Sequence, residues 1–177
     1  MVVDASVIEK KIVEGCIAND RLCQKELYDR YKDAMFTLCI RILKDEDLAA
    51  DALQEGFIDV FSSIKTYKFL STLGAWIKII IVRKAILHSK RLLLHEELNE
   101  HHENETIEWS ESLTGKDLAK AIYSLPQGYR SVFVLNEIEG YSHKETSDLL
   151  NIAEGTSRSQ LHHAKKLLQK FLKDYRQ

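Results

Sequence analysis

Apolar residues recur along this chain at spacings of three and four, with no sustained alternation, a pattern that predicts helices throughout. A single proline, Pro126, and seven glycines leave few points at which those helices break. Leu27, Tyr31, Met35, Leu38 and Ile42 mark one long amphipathic helix. Asp45 or Asp47 is placed to cap the next, in which Ala49, Leu53, Phe57, Val60 and Ile64 form an inward stripe. Asp47, Asp51, Gln54, Glu55 and Ile58 fall on another face of that helix, and an isoleucine among acids marks a surface for a partner. After Ser71, Thr72 and Gly74, a third long helix is expected over 73–94. Its Ile77, Ile80, Ile81, Ala85 and Leu87 turn inward, and Lys78, Arg83, Lys84, Lys90 and Arg91 turn to water.

The last third of the chain is the most informative. A short helix over 117–124 stops at Leu125-Pro126, and a second spans 127–138 with Val132, Phe133 and Leu135 inside. Gly140 sits in a turn, Ser142 caps a third helix, and Glu145 three residues on completes a capping box. Asn151 suits a left-handed helix end, and Gly155-Thr156 opens a fourth helix. A helix of about eight residues, a tight turn and a second helix is helix-turn-helix geometry, whose second helix enters the major groove by its N-terminal end. There Leu161, Ala164, Leu168 and Phe171 form the packed side, leaving Ser157, Arg158, Gln160, His163, Lys165 and Lys166 to face DNA. Arg158 matches guanine and Gln160 adenine in bidentate pairing, each worth about 1–3 kcal/mol of discrimination.

Charge adds a division that the apolar pattern lacks. Residues 64–91 hold seven Lys/Arg and no acid, residues 92–115 seven Glu and no Lys/Arg, and residues 156–173 five Lys/Arg and no acid. The net charge of −2 conceals this order of basic, acidic, basic. The acidic stretch reads as a flexible linker with Ile107 and Trp109 as its apolar points. Tyr67 and Phe69 stand among lysines between two helices. Aromatic rings interleaved with bases suit single-stranded nucleic acid, while the alternative is that both rings anchor the loop in the core. Three cysteines at spacings of 7 and 16 lack zinc-ligand geometry, the histidines near the linker read as solvated, and neither cofactor nor metal is expected. No apolar run approaches the roughly 20 residues that span a bilayer, and the N-terminus lacks a secretory pattern, so a cytoplasmic protein is expected; without paired acid/base residues on ordered elements, it is not expected to be an enzyme.

Residues 125–168, LPQGYRSVFVLNEIEGYSHKETSDLLNIAEGTSRSQLHHAKKLL, resemble promoter-recognition region 4 of the extracytoplasmic-function sigma factors. Residues 27–61, LYDRYKDAMFTLCIRILKDEDLAADALQEGFIDVF, with the later Ser71-x-Leu73-x-Ala75-Trp76-Ile77, resemble region 2 of the same family. The resemblance implies an all-α protein of two small helical domains, region 2 over 1–91 and region 4 over 116–177, joined by the acidic linker over 92–115. It implies binding to bacterial core RNA polymerase through Asp47, Asp51, Gln54, Glu55 and Ile58. Tyr67, Lys68, Phe69, Ser71, Thr72, Trp76, Lys78, Arg83 and Lys84 would hold the melted −10 element. Thr156, Ser157, Arg158, Gln160, His163, Lys165 and Lys166 would read the −35 duplex. A free monomer is implied, with an anti-sigma protein as a further partner. The sequence departs from the family at Leu73, Gly74, Arg83, Leu87, Gln160 and His163. The competing reading is a stand-alone helix-turn-helix regulator, dimeric, with residues 1–91 as its sensor or dimerisation part.

Overall fold

The computed structural model describes residues 5–96 and 115–174. Eight α-helices run through them: α1 (Ala5–Ile17), α2 (Arg21–Leu43), α3 (Glu46–Ser63), α4 (Leu73–Glu96), α5 (Gly115–Tyr123), α6 (Gln127–Phe133), α7 (His143–Leu150) and α8 (Glu154–Asp174). A 3-10 turn, Ile64–Thr66, follows α3, and a π turn, Val134–Ile138, follows α6. The described residues contain no strand, so the protein is all-α. The acidic stretch, with Ile107 and Trp109, lies almost wholly outside the described residues. The chain packs as two compact units, Met1–Ile40 with Asp45–His88, and Arg41–Lys44 with Ser89–Gln177.

Local chemistry sets the helix ends of the first unit. Asn19 takes a left-handed conformation after α1, and the Asp20 carboxylate accepts the Leu22 N–H at 2.8 Å, satisfying a donor that the first turn of α2 leaves open. Asp45 does the same for α3, accepting from Leu48 N at 2.8 Å. The α3 stripe of Ala49, Leu53, Phe57 and Val60, continued by Ile64 in the 3-10 turn, is buried as its periodicity predicts. Tyr28 of α2 meets Phe57 edge-on at 4.7 Å. Gly56 lets α4 approach closely, since a Cβ there would lie 2.4 Å from Ile81 Cδ1. In α4, Ile77, Ile81 and Ala85 are buried, but Leu87 is exposed and Val82 and Ile86 are buried instead. Leu87 stands two residues, about 200° of rotation, from Ala85 and so cannot share its face. The sequence pattern did not single out α1.

In the second unit α8 packs against α5, α6 and α7. Leu125, Val132, Val134, Leu135, Leu161, Ala164 and Leu168 form its core. Arg130 is buried among them because its guanidinium satisfies the chain end of α5, donating to Leu125 O at 2.8 Å and Tyr123 O at 3.3 Å. The helix expected over 127–138 exists, but its second half winds as the π turn, with Glu139 N donating to Val134 O at 2.9 Å.

Candidate nucleic-acid and polymerase interfaces

The helix-turn-helix is built as the sequence pattern requires. Gly140 at φ +77° turns the chain, and Ser142 caps α7. Glu145 reaches back to Ser142 N at 2.8 Å and Oγ at 2.7 Å, while Ser142 Oγ accepts from Glu145 N at 3.2 Å. The Ser142 hydroxyl and amide hold the Glu145 carboxyl below the usual carboxylate range. Asn151, at φ +56°, ends α7 in the left-handed region, and Ile152 N donates to Ser147 O. Asn136 locks the motif from behind by donating at 3.0 Å to Oγ1 of the fully buried Thr146.

On α8 the expected reading residues separate into groups. Ser157 is fully buried, with its hydroxyl 2.9 Å from His143 Nδ1, so it holds the two helices together and cannot face DNA. Thr156 is half-buried beside it. Arg158 is exposed and paired with Glu154 at 2.5 Å, and Lys165 is paired with Glu137 of the π turn at 2.8 Å. Gln160 lies half-buried, its amide 3.4 Å from where a Cβ on Gly128 would stand. His163 stacks on Tyr129 of α6 at 5.8 Å and 19°. Lys166 is exposed. Ser159 and His162 are exposed on the same side as Lys166, opposite the buried Leu161, Ala164 and Leu168. The sequence reading passed over both. The 4-3-4 spacing of Gly155, Ser159, His162 and Lys166, complementary to the apolar stripe, is the signal that locates them.

In the first unit, residues 67–72 form the loop between the 3-10 turn and α4. Tyr67 is 8% exposed and its hydroxyl donates to Ser71 O at 2.6 Å, closing the loop on itself. Burial first, then the Glu9 carboxylate, pushes that phenol above its ordinary pKa. Tyr67 is therefore an anchor and not an outward ring. It carries Phe69 at 4.6 Å between centroids and rests against Trp76 at 5.4 Å. Phe69 is 52% exposed and held at φ +57°, a conformation rare for a bulky residue, and the neighbouring Leu70 is 89% exposed. Thr72 caps α4, its hydroxyl oxygen accepting from Ala75 N at 3.3 Å. Lys68, Ser71, Thr72 and Arg83 are exposed, whereas Trp76 and Lys78 are half-buried. Lys84 turns away from this surface onto α3, 3.0 Å from Asp59 and 3.8 Å from Glu55.

The α3 face presents Asp47, Asp51, Gln54 and Ile58 to solvent, Ile58 being 67% exposed. Glu55 is half-buried and faces α4, with His88 Nε2 3.3 Å from its Oε1 but not in hydrogen-bond alignment.

Two all-helical units, the second ending in a helix-turn-helix with a basic outer helix, define a DNA-binding protein of the transcription-factor class. Residues 27–92 match the model of sigma-70 region 2, and residues 116–168 match the model of sigma-70 region 4. The chain is 30% identical over 156 residues to the ECF RNA polymerase sigma factor SigE of Mycolicibacterium smegmatis, covering 83% of this chain and 60% of that one. It is 24% identical over 186 residues to SigW of Bacillus subtilis, covering 93% and 97% of the two. Among solved structures, the sigma factor RpoE of Bartonella quintana, crystallised with the anti-sigma factor NepR, shares the fold at a TM-score of 0.59 and 22% identity, over 84% of this chain and 96% of that one. CnrH, solved with the cytosolic domain of CnrY, follows at 0.55 and 18%, over 92% and 96%. The chain belongs to the sigma-70 family of RNA polymerase sigma factors, in its extracytoplasmic-function group. The reading as a stand-alone regulator is not favoured.

Proposed function

We propose that this protein is an alternative sigma factor that acts in the cytoplasm without catalysis of its own, binding core RNA polymerase and directing it to a promoter. The observation that carries the reading is the order of the two regions along the chain. A region 2 match falls on the unit with the exposed acidic face and the aromatic loop, and a region 4 match falls on the helix-turn-helix.

Asp47, Asp51, Gln54 and Ile58 form the polymerase-binding face, with Glu55 at its edge. In the outer helix, Arg158, Ser159, His162 and Lys166 contact −35 duplex, with Gln160 and His163 at the flank against α6. Phe69 and Leu70, backed by Tyr67, meet the melted −10 strand, with Lys68, Ser71, Thr72 and Arg83 near its phosphates. A base–aromatic stack supplies about 1–3 kcal/mol, comparable with the few kcal/mol needed to unstack one base, so a single well-placed ring helps hold a bubble open. Among the described residues no helix is long and apolar enough to cross a membrane. An anti-sigma protein is a further proposed partner, supported by the complexes in which RpoE and CnrH were solved.

The test is comigration of the purified chain with bacterial core RNA polymerase on size exclusion, beside the double variant Asp51→Arg, Glu55→Arg, followed by promoter-dependent transcription in vitro. Binding that the variant loses, with transcription restored to core enzyme, supports the reading. Failure to bind core enzyme, together with tight duplex binding by the chain alone, removes it.

A further inference from the structure

The loop at 67–72 is held at both ends from the same place. Before it, the 3-10 turn Ile64–Thr66 packs on α1. After it, the first turn of α4 packs on Tyr31 of α2: a Cβ added at Gly74 would lie 2.9 Å from Tyr31 Cε1 and 3.7 Å from Cδ1. The two supports are joined, because the Tyr31 hydroxyl donates to Glu9 Oε1 of α1 at 3.3 Å. Glycine at position 74 is what lets the ring edge lie flat against the helix start.

We propose that Tyr31 is a positioning residue for strand capture, tied by Glu9 and seated on Gly74 so that both ends of the loop carrying Phe69 and Leu70 are fixed before DNA arrives. This rests on the −10 assignment made above. An exposed aromatic side chain in an unsupported loop must be ordered when a base binds, and that ordering subtracts from the binding energy. A loop anchored at both ends by a three-residue brace has already lost that freedom.

Two further features agree with the geometry. Burial above all, and then Glu9, raises the Tyr31 phenol to about 12, so it stays a neutral donor throughout the working pH range. The Glu9 carboxylate also acts on the Tyr67 phenol, which places it near the loop's own anchor as well as near Tyr31.

The experiment uses holoenzyme assembled from the full chain and core polymerase. The probe is fluorescein-labelled single-stranded DNA carrying the −10 sequence that wild-type holoenzyme selects from a randomised pool. Each variant is measured for core binding, for affinity to this strand, and for the ratio of affinities between the selected strand and one with a single base changed. Removing the hydroxyl in Tyr31→Phe, or its acceptor in Glu9→Leu, should weaken strand binding about two- to tenfold, the range of one ordinary hydrogen bond, with core binding unchanged. Glu9→Gln, which keeps an acceptor oxygen, should restore most of that loss. Combining Tyr31→Phe with Glu9→Leu should do no more than either alone. Tyr31→Ala should also lower the base-discrimination ratio, which a mere loss of folded protein leaves untouched; if it does not fold, the hydroxyl and acceptor variants carry the test. If Phe69→Ala weakens strand capture while all the brace variants keep wild-type affinity and discrimination, the brace is overturned alone. If no sequence is selected, or Phe69→Ala has no effect, the −10 assignment falls and the brace with it.

Discussion

Glu137 and Lys165 face each other at 2.8 Å on the border of the outer helix, with side chains 38% and 47% exposed. An exposed pair of this kind contributes about 0.2–1 kcal/mol. To reach a DNA phosphate, Lys165 must give up that partner, so the pair costs duplex affinity by the same amount, a factor of about 1.4 to 5. Replacing Glu137 by Gln removes the competing carboxylate and should tighten binding to −35 duplex by that factor. Lys165 meets the same phosphate in both proteins, so the slope of log K against log salt should stay nearly unchanged. Between about 50 and 200 mM salt the advantage should shrink only as far as salt screens the exposed pair. Fluorescence anisotropy of labelled −35 duplex at both salts reads the effect, and adding Lys165→Ala to the Glu137→Gln variant should cancel it. Unchanged or weaker binding by Glu137→Gln at low salt would refute the argument that this pair competes with DNA.

Other expectations follow from the same geometry. Ser142→Ala removes the cap of α7 and should cost about 1 kcal/mol, seen as a lowering of Tm by about 2–4 °C. Because Glu145 is held below its ordinary pKa in the folded state, its contribution is present above the unfolded value and lost as pH falls through the lower folded one; Ser142→Ala should flatten that part of the acid stability profile. Ser157→Ala should lower Tm while leaving base preference at −35 unaltered, because its hydroxyl meets His143 inside the motif; a changed preference would put Ser157 back on the DNA face. Phe57→Ala opens the contact between α2 and α3 and should cost about 3–5 kcal/mol, read by chemical denaturation as a lower midpoint.

The parts of this molecule that were legible in its sequence are those written in a short window. The stripe from Ala49 to Ile64, the cap at Asp45, the capping box at Ser142 and Glu145, and the left-handed Asn151 each depend on residues within a turn or two. What escaped depends on partners distant in sequence. Ser157 carries the same polar side chain whether it faces solvent or His143, and only the packing of α7 on α8 decides which. Lys84 reads as one more base on a basic helix until Asp59 and Glu55 are brought beside it. Tyr67 and Phe69 look alike in the sequence, and the Ser71 carbonyl distinguishes anchor from outward ring. Of the outer-helix face, His162 and Ser159 were recoverable by taking the complement of the buried stripe, since both are exposed there.

The π turn at Val134–Ile138 makes the second unit adjustable by a single codon. Such a turn takes up one residue more than an α-helical turn over nearly the same rotation, so losing one residue there would restore α-helical winding and displace the side chains within the turn while the chain beyond it keeps its direction. Asn136 would lose its register with Thr146, and Glu137 its position opposite Lys165. A deletion of one amino acid, which an ordinary loop absorbs silently, would here reset both the lock behind the recognition motif and the charge presented at its edge.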